Sequence, residues 1–391
     1  MSFNIALSGI NAVNKQLNSI SNNIANTATY GYKSSRANFT AAYIGTQAGG
    51  VQVGSVSQSM DHGGNMLRTE RGMDAAIQGR GFFVSRDIDG STLFSRVGIF
   101  DTDKEGFVID TLGRKVQGFP ANGNAIAGDL IVPTSAIGAK ASDSLRYAGN
   151  LSADWNEPSV TPFDKDKPLS YNGLSVSTAY DSLGRKHTLT QYYIKGPGNE
   201  VSVQYTMDGN EVGAATTLSF DADGKLTAPA DNVPLDLGTP GGASPMKLSL
   251  NYTDTTMFAG EMTTTRNTST GYAAGNVTGL SLDENGSIIV QYSNGEKASA
   301  GKLAIATFPN ESGLVAVSGS AWQASPATGD PLYFTAGSSM AGKLAVGALE
   351  QSNVDMTSEL VNLMAAQQNY QANSKVITAE NEMMRTLMQA L

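Results

Sequence analysis

Cysteine is absent from all 391 residues. There is therefore no disulfide framework, no thiolate metal site and no cysteine nucleophile. Histidine is nearly absent: His62 and His187 stand in unrelated contexts. Neither belongs to an HExxH run, and no GxSxG or GxxxxGK[ST] motif occurs, so the common hydrolase and nucleotide signatures are missing. Basic residues are outnumbered, 26 Lys and Arg against 35 Asp and Glu, for a net charge of −9. Nucleic acid and anionic membrane surfaces both need a basic footprint, so neither is an expected partner. No apolar run reaches the ~18 residues of a membrane span, so membrane insertion is not expected. The stretch MSFNIALSGINAVNKQL lacks a basic n-region and a continuous apolar segment. A cleaved signal peptide is not expected. The chain is either cytoplasmic or exported by a route that cleaves no leader.

Two further absences divide the chain. All 13 prolines lie between Pro120 and Pro331, and no glycine follows Gly347. The ends are suited to long helices and the middle is not. At the N-terminal end Phe3, Ile10, Leu17 and Ile24 recur every seven residues, with Ala6, Val13 and Ile20 between them. This is a coiled-coil seam of about three heptads. The C-terminal end repeats the period in Met356, Leu363, Tyr370, Ile377, Met384 and Leu391. Its second stripe is mixed: Leu360 and Met388 are apolar, whereas Gln367, Ser374 and Asn381 are polar. At ~1.5 Å per residue the two helices would be roughly 35 and 50 Å long.

Between the ends the period changes to two. LSVSTAY sets Leu174, Val176, Thr178 and Tyr180 on one face. VSVQYTM does the same with Val201, Val203, Tyr205 and Met207, and MKLSLNY with Met246, Leu248, Leu250 and Tyr252. Such alternation predicts half-buried strands. DIDG, DKEG, DTLG, DSLG, DADG, DENG and YSNG punctuate the strand runs. In such turns Asp supplies a side-chain bond and Gly the positive φ. Two all-β regions are predicted, and the segment from about 146 to 271, richest in Pro, Thr and Ser, reads as an insertion.

Two local patterns resemble ligand sites and fall short. GRGFF at Gly79 begins like a dinucleotide fingerprint, but the third glycine and the following helix pattern are missing. It reads as a turn into a buried strand. DTDKEGFVIDTL places Asp101, Asp103, Glu105, Gly106 and Val108 where a calcium loop wants them, but position twelve is Leu112 instead of a bidentate Glu. Strand patterns on both sides make it a hairpin turn. No catalytic, metal or cofactor constellation emerges, and an enzyme is not expected.

A pair of terminal helices could pack as a stalk within one chain, form a homo-oligomeric coiled coil, or pair with each other and with neighbours in an assembly. Asn18, Asn22, Asn23 and Asn26 read as surface residues of the first helix. Asn is a poor helix former in water. Such a seam is expected to order only when neighbours bury it.

SGINAVNKQLNSISNNIANTATYGYKSSRANF resembles the N-terminal motif of the bacterial flagellar axial proteins, in which an NNIAN run precedes T-x-G-[YF]-K. The matching residues are Asn22, Asn23, Asn26, Gly31, Tyr32 and Lys33. The C-terminal stretch beginning GALEQSNVDMTSEL resembles that family's second motif. There S-N-V-D, here Ser352, Asn353, Val354 and Asp355, precedes a helix carrying A-Q-x-x-Y. RGMDAAIQGRGFFV resembles the opening of the family's first β domain, and GVQVGSVSQSM fits a hook connector segment. Chain length and the inserted β region select the hook branch of this rod and hook family. NFTAAY stands where hook proteins often carry an acidic FAD.

The resemblance implies a multidomain fold: paired α-helical coiled-coil termini plus two all-β domains, the second inserted in the first. It implies a terminal helical domain at 1–28 and 356–391, and a connector at 29–70 and 342–355. An inner β domain at 71–145 and 272–341 and an outer β domain at 146–271 complete the division. The implied assembly seam is Phe3, Ile10, Val13, Leu17, Ile20, Ile24, Leu360, Leu363, Tyr370, Ile377, Met384 and Leu391. The implied function is structural: an extracellular homopolymer, a curved hollow tube that joins rod to filament and transmits torque while bending. Implied partners are the flagellar rod, the hook-cap and hook–filament junction proteins, and the flagellar type III export apparatus, which would account for the missing leader. The alternatives are a distal-rod or hook–filament junction protein and, from a different class, a secreted trimeric β-rich adhesin.

Overall fold

The computed structural model describes residues 2–44, 47–121, 127–338 and 340–390. Its two α-helices lie at the chain ends, α1 at Ser2–Ala25 and α2 at Met356–Ala390, with strands, turns and short 3-10 segments between them. This follows the distribution of proline and glycine. α1 runs out at Asn26, whose N–H still reaches the Asn22 carbonyl at 3.1 Å, and Gly31 then adopts a φ of +65°. α2 starts after Asp355, whose carboxylate accepts the Thr357 N–H at 2.9 Å and the Ser358 hydroxyl at 2.8 Å. Those bonds, the Ser358 hydroxyl foremost, hold the Asp355 pKa below the usual carboxylate value.

The chain divides into two compact units. The first comprises 1–134, 279–291 and 297–391; the second comprises 135–278 and 292–296. In the first unit, β1 (Ser35–Ile44) and β2 (Gln47–Gln58) form a long antiparallel hairpin. The hairpin lies on α1, where the Ser8 hydroxyl accepts the Val51 N–H at 3.1 Å. Outgoing and returning chain then run side by side: Met66–Arg68 pairs with Ala348–Glu350, and Ala75–Gln78 with Lys343–Val346. GRGFF opens the buried strand Phe82–Arg86, and Phe82, Phe94, Phe308 and Trp322 anchor the β core. The Phe94 and Phe308 rings meet edge to face at 4.8 Å, the arrangement favoured by their quadrupoles.

The second unit has a sheet centred on Ser144–Ser152, parallel to Lys247–Asn251 and Thr256–Phe258 and antiparallel to Thr263–Ser269. A second sheet runs antiparallel through Gly173–Tyr180, Lys186–Lys195, Glu200–Met207, Thr216–Phe220 and Leu226–Ala228. Both sheets contribute to one core. VSVQYTM and MKLSLNY bury the faces carrying Val201 and Met246. LSVSTAY turns the other way: Leu174 and Val176 are 45% and 53% exposed, and Ser175, Ser177 and Ala179 face inward. The cause is a polar network reaching this edge strand. Ser177 donates to Asn267 Oδ1 at 2.6 Å, and Asn267 Nδ2 donates to the Val176 carbonyl at 2.9 Å. Hydroxyls suit that inner face because they find partners there.

The seven punctuating turns all close on a glycine with φ between +72° and +88°. DKEG joins the hairpin Phe100–Thr102 and Val108–Asp110, and Asp103 accepts the Phe107 N–H at 2.7 Å. Its carboxylate serves the turn. Among the described residues no cluster of His, Asp and Glu could hold a metal ion, and no helix is long and apolar enough to cross a membrane.

Candidate assembly site at the joined chain ends

α1 and α2 pack antiparallel, since Asn23 bonds Glu359 at one end and Gly9 faces Asn373 at the other. A Cβ at Gly9, the lone glycine of α1, would lie 2.9 Å from Asn373 Oδ1 and would push that amide aside. The buried apolar centre of the pair is small: Val13, Ile20 and Ala366, with Leu17, Ile24 and Leu363 partly covered. Ile10 and Ile377 are half-buried. Phe3, Leu360, Tyr370 and Met384 are exposed, and so are Val361, Met364, Met383, Leu387 and Met388. Leu391 lies outside the described residues. The sevenfold period therefore marks two kinds of position, one that closes the pair and one that leaves apolar surface open.

The turn after α1 is held against the strand before α2. The Gly31 N–H donates to the Glu350 carbonyl at 2.8 Å. A Cβ at residue 31 would lie 3.0 Å from the Arg96 backbone, which with the positive φ requires glycine. Lys33 Nζ bonds Glu350 Oε1 at 2.7 Å and the His62 carbonyl at 2.9 Å. Both charged side chains are 1% exposed. Arg96 approaches Glu350 Oε2 at 3.3 Å and donates to the Gly79 carbonyl at 2.9 Å, with its guanidinium 5.1 Å from the Phe82 ring centroid. Burial depresses the pKa of both Lys33 and Arg96, and the Glu350 carboxylate works against it. One buried carboxylate thus ties together the N-terminal motif, the first β domain and the C-terminal strand.

The asparagines divide. Asn18 and Asn22 are exposed, as surface positions should be. Asn26 is half-buried, its Nδ2 donating to the Asn22 carbonyl at 2.9 Å and its Oδ1 accepting the Thr29 hydroxyl at 3.0 Å. Asn23 corrects the expectation of a surface residue: it is 1% exposed. Its Nδ2 donates to the Ser35 carbonyl and to Glu359 Oε1, each at 2.9 Å. Its Oδ1 accepts the Ser35 N–H at 2.9 Å and the Tyr32 hydroxyl at 3.2 Å. A primary amide offers two donors and an acceptor at one point, which neither Asp nor Leu can do. Burial is the main cause raising the Tyr32 pKa. From the other motif, Asn353 Oδ1 accepts the Ser34 N–H at 2.7 Å, and Nδ2 donates to the Ser59 and His62 carbonyls at 3.0 Å. Val354 is half-buried beside it, and its N–H reaches the Ser352 hydroxyl at 3.3 Å.

Arg96, Glu350 and Glu359 did not stand out in the sequence. The available signal was a single charge inside an apolar strand run, LFSRVGIF for Arg96 and AVGALEQ for Glu350. Buried strands rarely tolerate a charge without a partner of opposite sign.

Terminal helices clasped at their roots, with β units between them and apolar side chains left exposed along α2, are the architecture of a structural subunit. The Flagellar hook protein FlgE/F/G D1 domain model matches 76–145, the Flagellar basal body protein FlaE D2 domain model matches 150–272, and the Flagellar basal body rod FlgEFG protein C-terminal model matches 345–390. The chain is 35% identical to the flagellar hook protein FlgE of Salmonella typhimurium over 403 residues, covering 99% of both. It is 34% identical to that of Escherichia coli over 401 residues, again 99% of both. The crystal structure of the Helicobacter pylori flagellar hook protein FlgE2 shares the fold, with a TM-score of 0.53 at 14% identity, covering 73% of this chain and 100% of that one. The chain belongs to the flagellar hook protein family, and it is a structural subunit of the bacterial flagellar hook.

Proposed function

We propose that the chain polymerises with copies of itself through its terminal helices, which pair as a coiled coil and form the inner layer of a curved hollow tube. The observation that carries this reading is the unfinished seam. Val13, Ile20 and Ala366 close the pair, while Leu360, Met364, Met384 and Leu387 stay exposed. Apolar surface in such quantity on one helix marks an interaction face. The tube joins the flagellar rod to the filament and transmits torque as it bends. The further partners are the hook-cap and hook–filament junction proteins. Export through the flagellar type III apparatus places it outside the cell.

The proposed division keeps a helical domain at 1–28 and 356–391, a connector at 29–70 and 342–355, an inner β domain at 71–145 and 272–341, and an inserted outer β domain at 146–271. The outer domain is rich in Thr, Ser, Asp and Gly. Small polar surfaces exchange waters at low cost, which suits contacts that must slide during each revolution.

An unfinished seam has a direct consequence. Isolated helices gain little until their apolar face is buried. Limited proteolysis is expected to cut within 1–28 and 356–391 in the monomer and to spare both in polymer. Equal protection in the two forms would show that assembly does not order the ends.

A further inference from the structure

In the second unit, His187 sits between two carboxylates from different turns. Its Nδ1 lies 2.7 Å from Asp208 Oδ2 and its Nε2 3.4 Å from Asp181 Oδ2. A neutral imidazole has one N–H, and an ionised carboxylate has none to offer. Only the imidazolium can donate to both. We infer that His187 is a proton-operated pin that ties the Asp181–Arg185 turn to the Asp208 turn.

Both turns are built to pass this tie onward. The Asp181 side chain is fully buried and accepts from the Leu183 N–H at 2.9 Å, the Arg185 N–H at 2.8 Å and Arg185 Nε at 2.9 Å. Arg185 in turn donates to the Pro240 and Gly241 carbonyls at 3.2 and 2.8 Å. Asp208 accepts the Thr188 N–H at 2.8 Å and adopts a φ of +49°. The charged groups facing the imidazole are thus Asp181 and Arg185 from one turn and Asp208 from the other. The Lys165 ammonium lies by Gly209, 3.8 Å from where a Cβ would stand, and Lys186 is exposed. Loss of the proton leaves the nitrogen lone pair against one carboxylate and breaks the side-chain link between the turns, while the bonds between Asp208 and Thr188 remain.

The electrostatics agree. Burial disfavours the His187 charge, but the bonds to Asp208 and Asp181 outweigh it and raise the pKa. Burial also opposes the Asp181 charge, but the Arg185 N–H, His187 and the Arg185 side chain hold its carboxyl down at about 2. A raised folded-state pKa means that the folded unit binds the proton more tightly than the unfolded chain. The stabilisation from His187 is complete below the unfolded value of about 6.5 and fades as pH rises through the folded value. The contribution of Asp181 has the opposite sign and is lost only as pH falls toward about 2. The tie at His187 therefore holds in mildly acidic media and loosens as the medium turns alkaline.

With two histidines in the chain, proton NMR of the imidazole resonances reads the pin directly, and His187→Gln assigns its signal. The expected result is a midpoint above about 6.5 for His187, lowered by Asp208→Asn. Thermal melting should show His187→Gln below wild type by about 2–4 °C in mild acid, with the gap closing in alkali. A His187 midpoint at or below the ordinary value, or a gap that does not change with pH, overturns the proposal. If His187→Gln does not fold, the wild-type titration and Asp208→Asn still decide it.

Discussion

Glu350→Gln is expected to destabilise the first unit by about 3–5 kcal/mol, the usual effect of removing one member of a buried ion pair. The substitution leaves Lys33 and Arg96, 1% and 4% exposed, without their shared anion. The loss comes mainly from two stranded charges, because an unpaired buried ion costs more than an intact pair contributes. Each unit holds one of the two tryptophans, Trp322 in the first and Trp155 in the second. Denaturant unfolding in a Trp155→Phe background therefore follows the first unit alone. Adding Lys33→Met should cost much less in the Glu350→Gln background than in the wild type, because the two residues share one interaction. If Glu350→Gln unfolds within about 0.5 kcal/mol of wild type, the cluster does not clasp the chain ends.

Ile20→Asp should abolish polymerisation. Ile20 is 5% exposed at the centre of the helix pair, and a carboxylate there costs several kcal/mol or separates the helices. Ile10 and Leu363 lie on the neighbouring sevenfold stripes but are half-buried, so the same change at either is expected to be milder. The transition reported by Trp155 should stay where it is, which separates failed assembly from general misfolding. Normal polymer from Ile20→Asp would mean that the helix pair plays no part in assembly.

Features set by local chemistry were legible in the sequence. The Asp-x-x-Gly turns required positive φ whatever surrounded them, and each has it. Proline and glycine could be located without knowing any contact, so the terminal helices were legible too. Features that depend on partners distant in sequence were not. Asn23 is chemically indistinguishable from Asn22 until Ser35 and Glu359 arrive around it, 12 and 336 positions away. Glu350 becomes the centre of the clasp only when Lys33 and Arg96 meet it, 317 and 254 positions away. The LSVSTAY strand shows the same limit from the apolar side. Its period was right, but Asn267 decided which face turned inward.

Electron microscopy of polymer grown from the purified chain tests the central claim most directly. If the terminal helices line a tube whose outer β layer slides as it bends, the product is a curved hollow tube made of this chain alone. Straight rods, discrete trimers or no polymer under any condition would contradict the account.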